Sequence, residues 1–207
     1  MMSIDITDGI YNLIDRMNSR STARGEQTVD GEKYSHSSKG NEWLIMIRSD
    51  QGGGVLTSSN EARYGSTHTL LFDHLFDLSR RTNANIVSMH KNDSARPRFS
   101  NPLIKLPNDV WTPSLENILL NGILVEEINL KRFTNSGEIN EIVQDITFKN
   151  NILQALVQDD DYVWIEFRTT IYTNVMNRRL QNTQQAGSNS VTYDISQAVV
   201  TTGAGAA

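Results

Sequence analysis

Three successive segments between Leu124 and Val175 alternate apolar and polar residues with a period of two, and this constrains the fold more than any other feature of the chain. In residues 124–132, Leu124, Ile128 and Leu130 share one parity, and Glu127, Asn129 and Lys131 the other. In 141–151, Ile142, Ile146 and Phe148 oppose Glu141, Asp145, Thr147 and Lys149. In 162–174 and the residue that follows, Val163, Ile165, Phe167, Ile171 and Val175 oppose Glu166, Arg168, Thr170 and Asn174. Successive side chains of a strand point to opposite faces, so each segment reads as one long strand with a buried face and a polar face. Asn135-Ser136-Gly137 and Asp159-Asp160-Asp161 suit the turns between them. The alternation predicts a core containing Ile128, Leu130, Ile146, Phe148, Val163, Ile165 and Phe167.

A short helix precedes this meander. Thr112 is placed as its N-cap, Pro113 at its first turn and Gly122 just past its end, with Leu115, Ile118 and Leu119 on its apolar face. Upstream, Ile10, Leu13, Ile14 and Met17 form the stripe of a helix over about 8–19. Residues 20–40 read as a polar loop or arm, Glu42–Ser49 as a buried strand, and 51–65 as a second polar stretch. A second helix is predicted over Ser66–Arg81, where Leu71, His74, Leu75 and Leu78 line one side. Asn85–His90 reads as a strand and Arg96–Leu106 as extended, because Pro97 and Pro102 push the residues before them out of the α region. A last strand is placed at Val191–Ser196, before a glycine- and alanine-rich tail.

Composition excludes several classes of protein. Without cysteine there is no disulfide scaffold, thiolate zinc site or cysteine nucleophile. A net charge of −5 lacks the cationic footprint of a nucleic-acid wrapper or an anionic-membrane binder. No apolar run is long enough to span a bilayer, and the acidic N-terminus is unlike a signal peptide. At 38% hydrophobic residues, the chain is expected to complete its burial through neighbours.

No catalytic constellation emerges. Gly52-Gly53-Gly54 lacks the Gly-Lys-Ser/Thr ending of a phosphate loop. His68 and His74 lack the i, i+4 spacing that would let them share a metal on a helix, and His36 and His90 stand apart. Asp159-Asp160-Asp161 lacks calcium-loop spacing, and His90, Asp93 and Ser94 are too close in sequence for a hydrolase triad. Arg178 and Arg179 read as solvated or contact residues of an Asn/Gln-rich loop. The expectation is a chain with no enzymatic activity, no cofactor and no metal.

The order of a capped helix (TPSLENILLNG) followed by ILVEEINLKRF, NEIVQDITFKNNILQALVQ and DYVWIEFRTTIY resembles the C-terminal half of the haemolysin-coregulated protein (Hcp) family. These are inner-tube subunits of type VI secretion systems, and they share their fold with contractile phage tail-tube proteins. The final strand SNSVTYDIS is similar to the last Hcp strand. The resemblance implies a mainly β fold: a small antiparallel β-barrel or sandwich of the tail-tube type, with a short packing helix and, here, an added N-terminal helix. The corresponding division is 1–40 for helix and arm, 41–200 for the tube domain and 201–207 for a flexible tail.

The implied role is a structural subunit of stacked hexameric rings, the inner tube of a contractile injection machine. Its implied partners are further copies of itself, sheath and baseplate or spike proteins, and effector cargo, without membrane or sequence-specific nucleic acid. It would assemble in the cytoplasm and leave through the machine without a signal peptide. A phage tail-tube protein or another non-enzymatic virion or baseplate component is the alternative, located in a virion tail. A tube subunit needs a sheet with one face on its core and one on a water-filled lumen. Glu141, Asp145, Thr147, Lys149, Glu166, Arg168 and Thr170 are the lumen-facing candidates. The two polar arms are expected to contact the next ring.

Overall fold

The structure is a computed structural model that describes residues 10–12, 14–15, 28–29, 32–33, 41–56, 67–79, 98–136, 139–179 and 185–205. Residues 10–12 and 14–15 are helical (α1). The first strands are β1 (Thr28–Val29), β2 (Glu32–Lys33), β3 (Asn41–Ser49), β4 (Gly54–Leu56), β5 (Thr69–Leu70), β6 (Asp73–Leu75) and β7 (Leu78–Ser79). β8 (Arg98–Phe99), β9 (Leu103–Pro107) and helix α2 (Thr112–Asn121) follow. The meander then comprises β10 (Val125–Ser136), β11 (Ile139–Gln158), β12 (Tyr162–Arg168), β13 (Ile171–Arg179), β14 (Gln185–Asp194) and β15 (Val199–Gly205).

The 20-residue β11 belongs to two sheets. Its first half, Gln144–Lys149, pairs with β13, and its second half, Ile152–Gln158, pairs with β12. The strand turns between them at Asn150, whose φ of 54° lies in the left-handed region that Asn tolerates better than most residues. The buried Asn151 amide fixes the bend, donating to the Val125 and Phe148 carbonyls at 3.1 Å each. The main sheet has the order β15-β14-β13-β11-β10-β3-β4, and the second runs β6-β9-β12-β11. Every pairing is antiparallel.

The core lies between these sheets and beneath α2. Leu115, Ile118, Ile128, Leu130, Ile146, Phe148, Val163, Ile165 and Phe167, all expected there from the sequence, are no more than 1% exposed. Phe76, Phe99, Phe148, Phe167 and Tyr172 make a chain of tilted and edge-on ring contacts through it. The mainly β architecture matches the sequence expectation.

Several elements differ from the sequence reading. Residues 67–79 of the helix predicted at Ser66–Arg81 are not helical but form β5, β6 and β7; residues 66 and 80–81 lie outside the described set. The apolar residues there fit a period of two as well as 3.6, with Leu75 on one side and His74 and Phe76 on the other. Open backbone edges then decide, because Leu44 pairs with Leu70 and Ile104 with His74. The expected strand 162–174 is two strands, broken where the Thr169 hydroxyl donates to the Lys149 carbonyl (3.0 Å) and that of Thr170 to the Asn150 carbonyl (3.0 Å).

Helix α2 starts at Thr112 with Trp111 as its N-cap, one residue earlier than expected. The Thr112 hydroxyl works outside the helix, donating to Asn108 Oδ1 (3.0 Å) and accepting from the Asp109 N–H (3.2 Å). Gly122 closes the helix at φ 60°, as its position suggested. The tail is not free over 199–205: it pairs with β14 along its length, favoured by β-branched Val199, Val200, Thr201 and Thr202. Within 20–40, β1 and β2 pair as a short ribbon. The strand expected at Asn85–His90, and most of the arm 51–65, lie outside the described residues.

Candidate functional site: the polar face of the main sheet

Register brings three rows of side chains onto the face of the main sheet that points away from the core. The first is Arg48–Glu127–Lys149–Ile171–Asp194–Val199. The second is Met46–Asn129–Thr147–Thr173–Thr192–Thr201, and the third is Leu44–Lys131–Asp145–Val175–Ser190–Gly203. Directly opposed residues on one face are close enough to interact, so each row is a physical stripe. The alternate positions Ile128, Leu130, Ile146, Phe148 and Tyr172 enter the core, which sets this face polar.

Arg48, Lys131 and Lys149 stand among Glu127, Asp145 and Asp194, so cations and anions are interspersed and the charge sums to zero. The Arg48 guanidinium lies 4.0 Å from Glu127 and 3.9 Å from Asp50, loose and half-exposed contacts worth little by themselves. Thr173 and Thr192 share a hydrogen bond at 3.1 Å. At the rim the Asp194 carboxylate accepts from the Ser196 hydroxyl (2.6 Å) and the Gln197 N–H (3.0 Å), which hold its pKa below the ordinary carboxylate value.

One part of the face is covered. Asn129 is buried, and its amide donates to Asp145 Oδ1 (2.6 Å) and Thr147 Oγ1 (2.9 Å). That orientation leaves Asn129 Oδ1 as acceptor for His68 Nε2 at 3.1 Å, so the proton is on Nε2 and Nδ1 accepts from the Thr67 hydroxyl at 3.0 Å. Desolvation by burial, seconded by Lys131, lowers the His68 pKa against the opposing pull of Asn129, Asp145 and Glu127. His74 is elsewhere, packed edge-on to Trp43 at 4.4 Å between centroids.

The seven lumen-facing candidates do not share one face. Asp145, Thr147 and Lys149 do, together with Glu127, Lys131 and Arg48. Glu166 and Arg168 are in the second sheet and share parity with Trp164, on the far side of the core; Glu166 accepts from the Asn101 amide at 2.8 Å. The cause is the break at Thr169–Thr170, after which the phase inverts: Ile171 joins the polar face and Tyr172 enters the core. Thr170 sits at the corner. Glu141 pairs with Thr134 beyond a register shift that separates it from Asp145, and its side chain lies outside what is described.

The sequence reading did not put Arg48, Thr173, Thr192, Asp194 and Thr201 on this face. The polar parity around Val191 and Tyr193 was a usable signal for Thr192 and Asp194, but strand order was needed to align them.

Among the described residues no group of three or more His, Asp or Glu could hold a metal ion, and no helix is long and apolar enough to cross a membrane. The acidic turn works locally, with Asp159 Oδ1 accepting from the N–H groups of Asp161 (2.9 Å) and Tyr162 (2.6 Å). His36, His90, Asp93 and Ser94 lie outside the described residues.

No known family's sequence profile matches this chain, and no curated protein matches it. Solved structures do. A type six secretion system protein superposes with a TM-score of 0.64 at 11% identity, over 77% of this chain and 99% of that one. Hcp1 from Salmonella typhimurium gives 0.53 at 11% identity, covering 75% of this chain and 97% of its own. The secreted protein Hcp3 from Pseudomonas aeruginosa gives 0.52 at 10%, covering 79% and 98%. At these identities the likeness is one of fold. The chain has the Hcp-like antiparallel β fold.

Proposed function

We propose that this chain is a structural subunit of a type VI secretion-like inner tube, assembling into hexameric rings that stack into a hollow conduit for effector cargo. The observation that carries this reading is the charge-balanced, hydroxyl-rich face of the main sheet on an Hcp-like fold. Outside the part covered by His68, these rows intersperse Arg48, Lys131 and Lys149 with Glu127, Asp145 and Asp194, so a wall built from them offers a passing solute no excess of one charge. Among the described residues the sheet also ends at β15, whose Val199 and Val200 are about half exposed at 49% and 52%. An open edge of this kind is a liability in a monomer and an asset in a ring, where a neighbour covers it. Sheath, baseplate and spike components are the external partners of such a tube, and the role requires neither cofactor nor catalysis. Assembly precedes release through the machine.

Negative-stain microscopy of the purified protein tests the reading. Six-fold rings and stacked tubes are expected, and a monodisperse monomer at high concentration would overturn it.

A further inference from the structure

The two ends of β12 carry unlike surfaces. At its start, Asn108 ties the loop before α2 to the acidic turn, its N–H donating to the Asp161 carbonyl (2.9 Å) and its side-chain amide to the Asp159 carbonyl (2.8 Å). The Thr112 N–H donates to the Asp109 carbonyl (2.9 Å) and the Val110 N–H to Asp109 Oδ1 (2.6 Å), so loop and turn form one braced unit. Val110 projects from it, 67% exposed. Asp109, Asp159, Asp160 and Asp161 belong to the same unit, and the neighbouring Lys105 is turned onto the Tyr162 ring at 4.0 Å. This end is an apolar knob among carboxylates.

At the other end of β12 is a pocket of about 200 Å³. Ile152, 45% exposed, and Ile195 give it apolar walls, and Arg168 gives it a guanidinium. Its floor is held by the Thr170 N–H and the Thr169 hydroxyl, which donate to the Lys149 carbonyl (3.2 and 3.0 Å), and by the Ile195 N–H, which donates to the Thr170 carbonyl (2.8 Å). Among the described residues no carboxylate pairs with Arg168: Glu166 accepts from Asn101, and Asp194 from Ser196 and Gln197. A cavity of about 150 Å³ already holds a benzene molecule, so this pocket has room for a branched aliphatic side chain.

The 7 residues of β12 separate the two ends by roughly 23 Å at 3.3 Å per residue, so a knob cannot enter the pocket of its own chain. A single exposed valine would need no explanation. Here the same molecule offers a pocket that matches it in size, in apolar lining and in charge. We propose that the Val110 knob of one copy enters the Ile152–Ile195 pocket of the next, where Arg168 meets the acidic turn. Two unlike surfaces of one chain that fit each other make a heterologous contact, which repeats head to tail. Both parts are braced before they meet, so little ordering entropy opposes the contact. It runs along the strands, whereas the β15 edge lies across them. In the tube reading, on which this placement rests, the edge closes rings and the knob stacks them. One such contact is small, and repetition around a ring gives it strength.

The chain has no cysteine, so a crosslink can be placed cleanly. Val110→Cys/Ile152→Cys at high concentration is treated with a short bis-maleimide and run on a denaturing gel, with the same sample imaged. The two sites are too far apart to be joined within one chain, so the contact predicts a ladder of dimers, trimers and higher multimers. Each single-cysteine variant should stay monomeric, because the contact joins unlike sites. No ladder, or single-cysteine dimers as abundant as those of the double variant, would overturn the contact, including the case in which the pocket takes a segment of another protein. Rings or tubes without a ladder would overturn it and leave the tube reading standing. A ladder without rings would keep the contact and remove the tube reading, and absence of both would overturn both.

Charge reversal in the double-cysteine background supplies a second test. Arg168 and Asp160 are both exposed, so Arg168→Glu and Asp160→Arg leave the core untouched, and each should cut the ladder several-fold. Combined, they restore opposite charges across the contact and should recover much of the yield. A combined variant no better than either alone would overturn the pairing of Arg168 with the turn.

Discussion

His68 Nε2 donates to Asn129 Oδ1 across 3.1 Å, and with the pairing of β5 to β3 this contact holds the segment leading into β5 over the polar face. Burial makes the uncharged imidazole the form that fits. Because the folded pKa lies below the unfolded value of about 6.5, the neutral form's contribution is complete above that pH and is lost as pH falls through it toward the folded pKa. We expect the melting temperature to fall between pH 7 and pH 5, and to fall less in His68→Gln, which keeps a donor but cannot titrate. Identical pH slopes for the two proteins, measured by scanning calorimetry, would refute the assignment.

Asn129 is the hub of that network. Removing its amide in Asn129→Ala strands the His68 N–H and withdraws donors from Asp145 and Thr147. A buried group left unsatisfied costs about 1–3 kcal/mol, and each kcal/mol moves the melting temperature of a chain this size by about 2–4 °C. Urea unfolding should register the loss. A variant as stable as wild type would show that the network contributes nothing.

Phe167 and Lys149 test the assignment of faces. Phe167 is fully buried against Phe148 with centroids 5.3 Å apart, so Phe167→Ala should destabilise by about 3–5 kcal/mol. Lys149 is exposed on the polar face, and Lys149→Glu should change stability by about 0.5 kcal/mol or less. If the charge reversal proves as damaging as the core truncation, the polar face is not solvated.

Gly52 sits where the β3–β4 turn crosses α2. A Cβ there would fall 2.7 Å from Ser49 Oγ and 2.8 Å from Ile118 Cδ1, while the Ser49 hydroxyl is already committed to the Leu124 carbonyl at 2.7 Å. Gly52→Ala should therefore destabilise by about 1–3 kcal/mol through overpacking. Unchanged denaturant midpoints would mean that the helix yields at no cost.

The sequence revealed much of the core because Ile146, Phe148, Val163, Ile165 and Phe167 follow the two-residue period that burial on one side of a strand imposes. It did not reveal which sheet each strand would join. Glu166 and Lys149 alternate with apolar neighbours in the same way, yet the bend at Asn150–Asn151 and the break at Thr169–Thr170 put them on opposite sides of the molecule. Those turns are built by hydrogen bonds from Asn151, Thr169 and Thr170 to carbonyls of other segments, which no local pattern encodes. Leu71 to Leu78 was ambiguous for a related reason: its spacing satisfied both periods, and the free edges of β3 and β9 settled the matter. The polar face was half legible. Glu127, Asn129 and Lys131 have the right parity, but their alignment with Thr173 and Thr192 comes only from strand order.

The last prediction concerns β15. Val199, Val200 and 201–204 are all exposed, so this strand adds backbone pairing to β14 but little buried side chain. Among the described residues its outer edge is the end of the main sheet, an edge of the kind that can pair with another strand. In the ring reading that edge is where the next subunit adds its own strands, and the hydroxyl row ending at Thr201 continues onto the neighbour. A chain stopped after Ala198 should keep its circular dichroism spectrum, melt within a few degrees of wild type and sediment as a monomer. If it still forms rings under negative stain, β15 is not part of the ring contact and closure has to use another surface.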